Sequence, residues 1–214
     1  MTVYRNRTDA GQQLAAAVVD RLGDQPAGAI VLALPRGGVP VAVEVTKAIK
    51  APLDVMIVRK LGMPFDPEFA FGAISSGGAC YLNPRVMGRG IVTEAQIEKV
   101  RAAETAELTR REHLYRGDRP LADLTGRTVI VVDDGIATGA SMRAALMAVR
   151  ALGAGRVVLA VPVAPAESEA EFADLVDDFI CPLFAENLGS VGAFYEDFAQ
   201  VEDAQVFESL QANK

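Results

Sequence analysis

The feature that most constrains this chain is an alternation of two sequence periods. Short, near-continuous apolar runs at residues 29–34, 53–58, 128–132 and 156–163 are separated by longer segments whose apolar residues recur every three to four positions. A run of Ala, Val, Ile and Leu with no polar alternation reads as a strand buried on both faces, and helices are what cover such strands. The pattern predicts an α/β fold, an open parallel sheet flanked by helices. Residues 8–22 read as a helix with Thr8 or Asp9 as N-cap and with Leu14, Val18 and Leu22 on one face. Residues 39–50, 139–152 and 167–176 read as helices too, with Met142, Leu146 and Val149 turned inward, and residues 178–181 as a last short strand. The alternation pauses at residues 69–82, where Ser76-Gly77-Gly78 suits a hairpin turn, and at residues 93–115, a long charged helix.

Composition narrows the function. Half of the residues are hydrophobic, yet no apolar run approaches the ~18 residues a membrane span needs, and the first five residues offer no signal-peptide core. Two cysteines, Cys80 and Cys181, are too few for a disulfide scaffold and have no metal-site spacing, so a cytoplasmic protein is expected. The net charge of −7 argues against nucleic acid as a partner. That charge is uneven: residues 1–156 carry +4, while residues 157–214 carry one basic and twelve acidic side chains.

Chemistry concentrates in residues 129–141. Four apolar β-branched residues lead into Asp133-Asp134, then a small-residue loop, Gly135-Ile136-Ala137-Thr138-Gly139-Ala140-Ser141, that opens a helix. In an open parallel sheet, ligands bind beyond the carboxyl ends of the strands, where this loop must lie. Its small residues let backbone N–H groups converge at a helix N-terminus, a pocket for a phosphate monoester. Two adjacent carboxylates repel phosphate; they suit vicinal hydroxyls, or a divalent cation met through water. Together these features fit a sugar phosphate. A Walker A loop fails because Gly135 and Gly139 are too close and Ala140 stands where a lysine would. A dinucleotide fingerprint fails because Gly153-Ala154-Gly155 precedes a strand rather than following one.

Residues 129–141 resemble the phosphoribosyl pyrophosphate (PRPP) signature of the type I phosphoribosyltransferases, and Leu34-Pro35-Arg36-Gly37-Gly38 resembles their pyrophosphate loop. The resemblance runs over nearly the whole chain, to a bacterial branch of that superfamily, with supporting matches at residues 59–62, 72–74 and 191–198. It implies a single domain over residues 1–214, with a hairpin, flap and charged-helix insertion at residues 69–119 and a C-terminal hood at residues 183–214. It also implies Mg²⁺-dependent transfer of the 5-phosphoribosyl group of PRPP to a small nitrogenous acceptor, with release of pyrophosphate. By the same resemblance Asp133 and Asp134 contact the ribose hydroxyls, and the metal through water. Ala137, Thr138, Gly139, Ala140 and Ser141 hold the 5-phosphate. Arg36, Gly37 and Lys60 meet the pyrophosphate, with a non-proline cis peptide near Arg36-Gly37. Arg36, Lys60, Asp133 and Asp134 are the implied catalytic set, and the family habit is a homodimer.

Other readings stay open beside it. Arg36 is otherwise a surface-turn arginine, and Lys60 a strand-end lysine reaching into solvent. Phe194 or Tyr195 stacks on the acceptor and Asp197 lies near the metal, or all three belong to ordinary C-terminal packing. Ala137 stands where 6-oxopurine enzymes have an aspartate, so a general base comes from elsewhere; Glu68 is a possible source, or a solvated loop residue. Arg85 and Arg89 belong to a mobile flap or to a plain surface loop. His113 reads as solvated. The alternative function is a non-catalytic protein of the same fold that senses PRPP or nucleotide; a third is an enzyme acting on a substrate other than a nucleobase. The acidic C-terminal quarter favours a neutral or cationic acceptor.

Overall fold

A computed structural model describes residues 4–88 and 90–213, apart from the side chains of residues 67, 68 and 85. The side chains that would make Glu68 a general base and Arg85 a flap residue, and the whole of Arg89, lie outside what is described. The chain runs α1 (Arg7–Leu22), β1 (Ile30–Ala33), α2 (Gly38–Ile49), β2 (Leu53–Val55), β3 (Val58–Met63), β4 (Asp66–Ser75), β5 (Cys80–Leu82), α3 (Pro84–Met87) and α4 (Glu94–Arg116). It continues through β6 (Thr128–Val132), α5 (Ala140–Ala151), β7 (Arg156–Ala160), β8 (Val163–Pro165), α6 (Ser168–Phe172), β9 (Asp178–Ile180), β10 (Leu183–Ala185) and α7 (Asp203–Ala212).

Five strands form the central sheet in the order β2-β1-β6-β7-β9, every pair parallel. Successive residues of each strand enter opposite layers. Val31, Ala33, Ile130 and Val132 pack with Leu14 and Val18 of α1 and Val41 and Val45 of α2. Ile30, Leu32, Val129 and Val131 pack with Met142, Leu146 and Val149 of α5. Burial on both faces is why these strands lack polar alternation. Each such aliphatic side chain contributes about 1.5–3 kcal/mol of burial, so Leu32→Ala would cost about 2–5 kcal/mol. The fold is the expected open α/β parallel sheet.

The structure revises several local expectations. The N-cap of α1 is Asn6, whose side chain accepts from the Asp9 N–H, rather than Thr8 or Asp9. The apolar run at residues 53–58 is not one strand. The chain leaves the parallel sheet after Val55, and β3 joins β4 and β5 in a separate antiparallel sheet, with residues 76–78 as the expected hairpin turn. Lys60 is therefore the third residue of β3, paired with Ala73, and not at a strand end. The run at residues 156–163 is likewise broken, because β8 leaves to pair with β10. Residues 167–176 hold only the five-residue α6. Among the described residues no helix is long and apolar enough to cross a membrane.

Candidate functional site

β1 and β6 are neighbours in the sheet, and the loops leaving their carboxyl ends meet. The Leu34 N–H donates to the Val132 carbonyl at 2.8 Å, which carries the ladder one residue past β1. Beyond it the peptide bond Pro35–Arg36 is cis, one residue before the expected position. Gly37 and Gly38 then pass so close to β6 that neither has room for a side chain. A Cβ on Gly37 would lie 2.0 Å from Asp134 Oδ2, and one on Gly38 would lie 2.8 Å from the Asp133 Cα. The glycine pair is thus explained by contact with the acidic pair rather than by φ, which is −59° at Gly37.

Asp133 is half-buried, and its Oδ1 accepts from the Asp134 N–H at 2.8 Å. Burial, reinforced by the neighbouring Asp134 carboxylate, raises its pKa well above the usual carboxylate range. Burial raises Asp134 too, against the pull of Arg7. Arg7 Nε donates to Asp134 Oδ2 at 2.8 Å, and the Tyr195 hydroxyl donates to the Asp134 carbonyl at 2.6 Å.

After the pair the chain is pinned by the Ile136 N–H donating to the Val163 carbonyl at 2.9 Å. Ala137, Thr138 and Ala140 are exposed, and Gly139 precedes α5 with φ of +68°, a conformation that glycine adopts freely. Among the described residues no side chain caps this helix, and a ligand could satisfy its first-turn N–H groups. Ser141 lines a cleft of about 590 Å³ together with Lys60, Met63, Pro64 and Glu104. Arg59 closes one side of it through an ion pair with Glu104 at 2.6 Å. Two larger clefts, of about 720 and 740 Å³, border the hairpin turn and α4 and include none of the residues of the acidic pair or its loops.

The structure therefore brings together Gly37, Asp133 and Asp134, and separately Lys60 and Ser141. Arg36 turns toward the C-terminal segment, its Nη1 3.8 Å from Asp203 Oδ1, with the Gln200 amide also against it. Tyr195 is buried, its ring 5.4 Å from that of Tyr4 and 4.8 Å from that of Phe198, so it packs inside the C-terminal segment with no face free for stacking. Phe194 is half-buried against the same cluster. Asp197 is exposed and accepts from the Ala199 N–H; among the described residues no three acidic, His or Cys side chains gather as a metal site, so Asp197 does not complete one with the pair. His113 is exposed as expected, 3.5 Å from Asp118, and both cysteines are free. Arg7, which pairs with Asp134 in the candidate site, is missed by sequence reasoning. It lies 127 positions from Asp134, and no local spacing marks it.

Comparison with known proteins gives a consistent picture. Residues 84–191 match the family model described as the phosphoribosyl transferase domain. The crystal structure of TT1426 from Thermus thermophilus is similar over 99% of both chains, at 39% identity and a TM-score of 0.85. Two Mycobacterium tuberculosis proteins, MT0597 and Rv0571c, named as candidate phosphoribosyl transferases, are each 45% identical over 210 residues. The match takes in 98% of this chain but 47% of theirs, so the chain spans about half the length of the curated relatives it matches.

Proposed function

The chain belongs to the phosphoribosyl transferase domain family, and from that premise we propose that it transfers the 5-phosphoribosyl group of PRPP to a small nitrogenous acceptor and releases pyrophosphate. The observation that carries this reading is the contact between residues 35–38 and Asp133-Asp134, where a side chain at Gly37 would collide with the Asp134 carboxylate and one at Gly38 with the backbone of residues 132–133. That contact sets a candidate leaving-group loop beside candidate sugar-hydroxyl acceptors, as a reaction at ribose C1 requires.

In this reading Asp133 and Asp134 accept hydrogen bonds from the ribose hydroxyls, and Ala137, Thr138, Gly139, Ala140 and Ser141 hold the 5-phosphate at the start of α5. Lys60 shares the cleft of Ser141, so its charge serves the phosphate side of the substrate. Gly37 faces the pyrophosphate, and Arg36 reaches it by leaving its 3.8 Å pair with Asp203. Scission of the C1–oxygen bond leaves positive charge on the sugar, and catalysis comes from neutralising the leaving group and orienting the acceptor nitrogen rather than from a covalent nucleophile. A pair of adjacent carboxylates suits a hard divalent cation such as Mg²⁺. Asp133 and Asp134 would hold it, and it would supply charge neutralisation at the pyrophosphate. We assign residues 1–214 to one catalytic domain, with residues 183–214 as the hood that meets the acceptor.

Titration calorimetry with PRPP and Mg²⁺ tests the site. The wild type binds, and the Asp133→Asn/Asp134→Asn variant keeps its fold but loses the magnesium-dependent affinity. Undiminished binding in that variant would remove the assignment.

A further inference from the structure

The acidic pair, the N-terminal helix and the C-terminal segment meet at one side chain. Arg7 opens α1, and the residues before it are hydrogen-bonded into the C-terminal segment. The Tyr4 N–H donates to the Phe194 carbonyl at 3.0 Å, and the N–H groups of Glu196 and Asp197 donate to the carbonyls of Tyr4 and Arg5 at 2.9 Å each. From that base the Arg7 guanidinium makes three contacts. Nε donates to Asp134 Oδ2 at 2.8 Å, Nη1 donates to the Ala199 carbonyl at 2.7 Å, and Cζ lies 3.8 Å from the centre of the Phe198 ring. The side chains of Arg7 and Asp134 are only 11% and 14% exposed. A planar guanidinium satisfies these directions together, whereas the point charge of a lysine serves one of them. Tyr195 grips the same aspartate from its backbone side.

We propose that Arg7 is a positioning residue for the transfer: it fixes the Asp134 carboxylate and ties it to the hood, so that the sugar side and the acceptor side of the site are held in register. This rests on the reading of Asp134 as acceptor of a ribose hydroxyl. With Oδ2 taken by Arg7, Oδ1 is the oxygen left for the sugar.

The test is calorimetry of PRPP and of inorganic pyrophosphate, each with Mg²⁺, on the wild type, Arg7→Gln, Arg7→Lys and Arg5→Gln. Arg5 is exposed and pairs with Asp9, so Arg5→Gln is the control. Arg7→Lys keeps the charge and serves if Arg7→Gln fails to fold. Both Arg7 variants are expected to lose about tenfold or more in PRPP affinity, the scale of one charge-assisted hydrogen bond. Pyrophosphate, which has no sugar, binds them as it binds the wild type. Unchanged PRPP affinity overturns the proposal, and so does an equal loss of both ligands, which marks a purely structural role. In an Asp134→Asn background Arg7→Gln adds no further loss; a second tenfold loss there also overturns it. Failure of the site reading itself looks different, because the wild type then binds no PRPP. Hydrogen exchange without ligand still decides the coupling: residues 191–199 exchange faster in Arg7→Gln than in Arg5→Gln, and equal protection overturns it.

Discussion

Gly37→Ala puts one methyl group into the contact on which the site is built. Gly37 has φ −59° and ψ −37°, a conformation alanine adopts without strain, so the whole effect is steric. The new methyl would lie 2.0 Å from Asp134 Oδ2 and 2.7 Å from its Cγ, where ordinary contact begins at 3.4 Å. The carboxylate would have to retreat by more than about 1 Å. It cannot do so alone, because Arg7 holds Oδ2 at 2.8 Å and Tyr195 holds the carbonyl at 2.6 Å. Overpacking of this kind costs about 1–3 kcal/mol, and for a domain of this size that lowers Tm by roughly 2–12 °C. PRPP affinity is expected to fall by about tenfold or more, since a displaced carboxylate forfeits a charge-assisted hydrogen bond. Gly189→Ala is the matched control: nothing lies within 4 Å of its Cβ position, and the change should stay within about 0.5 kcal/mol. Thermal melts and calorimetry on the two variants decide the matter. If Gly37→Ala matches Gly189→Ala in both, loop 35–38 does not touch the acidic pair and the reasoning is refuted.

Tyr195→Phe removes the hydroxyl that donates to the Asp134 carbonyl, and a loss of about 1–2 kcal/mol in denaturant unfolding is expected, with the aromatic packing kept. Asp178 is buried, which favours its neutral form, but hydrogen bonds from Arg156 and Arg21 outweigh that and hold its carboxyl below the usual range. Its contribution is complete above the unfolded value of about 3.9 and fades as pH falls through the lower folded value. Asp178→Asn should therefore cost about 2 kcal/mol at neutral pH and flatten the acid limb of a Tm–pH curve; an acid limb as steep as that of the wild type would contradict this. Burial pushes the Cys181 thiol up to about 12 while Cys80 is exposed, so a thiol reagent at pH 8 should modify one cysteine in the native protein and two in denaturant.

The parts of this protein that can be read in its sequence are those whose cause is local. β1, β6 and β7 are continuous apolar runs because both of their faces are buried, and Asp133-Asp134 follows β6 directly. What escapes such a reading depends on partners distant in sequence. Met56 and Ile57 are as apolar as the strand before them, and both are buried. Nothing local therefore shows that the chain changes sheets there, and Lys60 reads as a strand-end residue as a result. Thr8 and Asp9 are as good N-caps as Asn6 in isolation. Tyr4 and Arg5, pinned against residues 194–197, set where α1 begins. Tyr195 reads equally as a stacking aromatic or as C-terminal packing until Tyr4 and Phe198 close around it. Arg7 carries no signal before the fold brings α1 to the end of β6.

The most direct test of the central claim is pyrophosphate release from PRPP with Mg²⁺, measured over a panel of purines, pyrimidines and small nitrogen acceptors. An acceptor-dependent burst of pyrophosphate that disappears in Asp133→Asn/Asp134→Asn is the predicted result, with neutral or cationic acceptors preferred over acidic ones. PRPP that binds tightly yet yields no pyrophosphate with any acceptor would contradict it, and would point instead to a protein that senses PRPP.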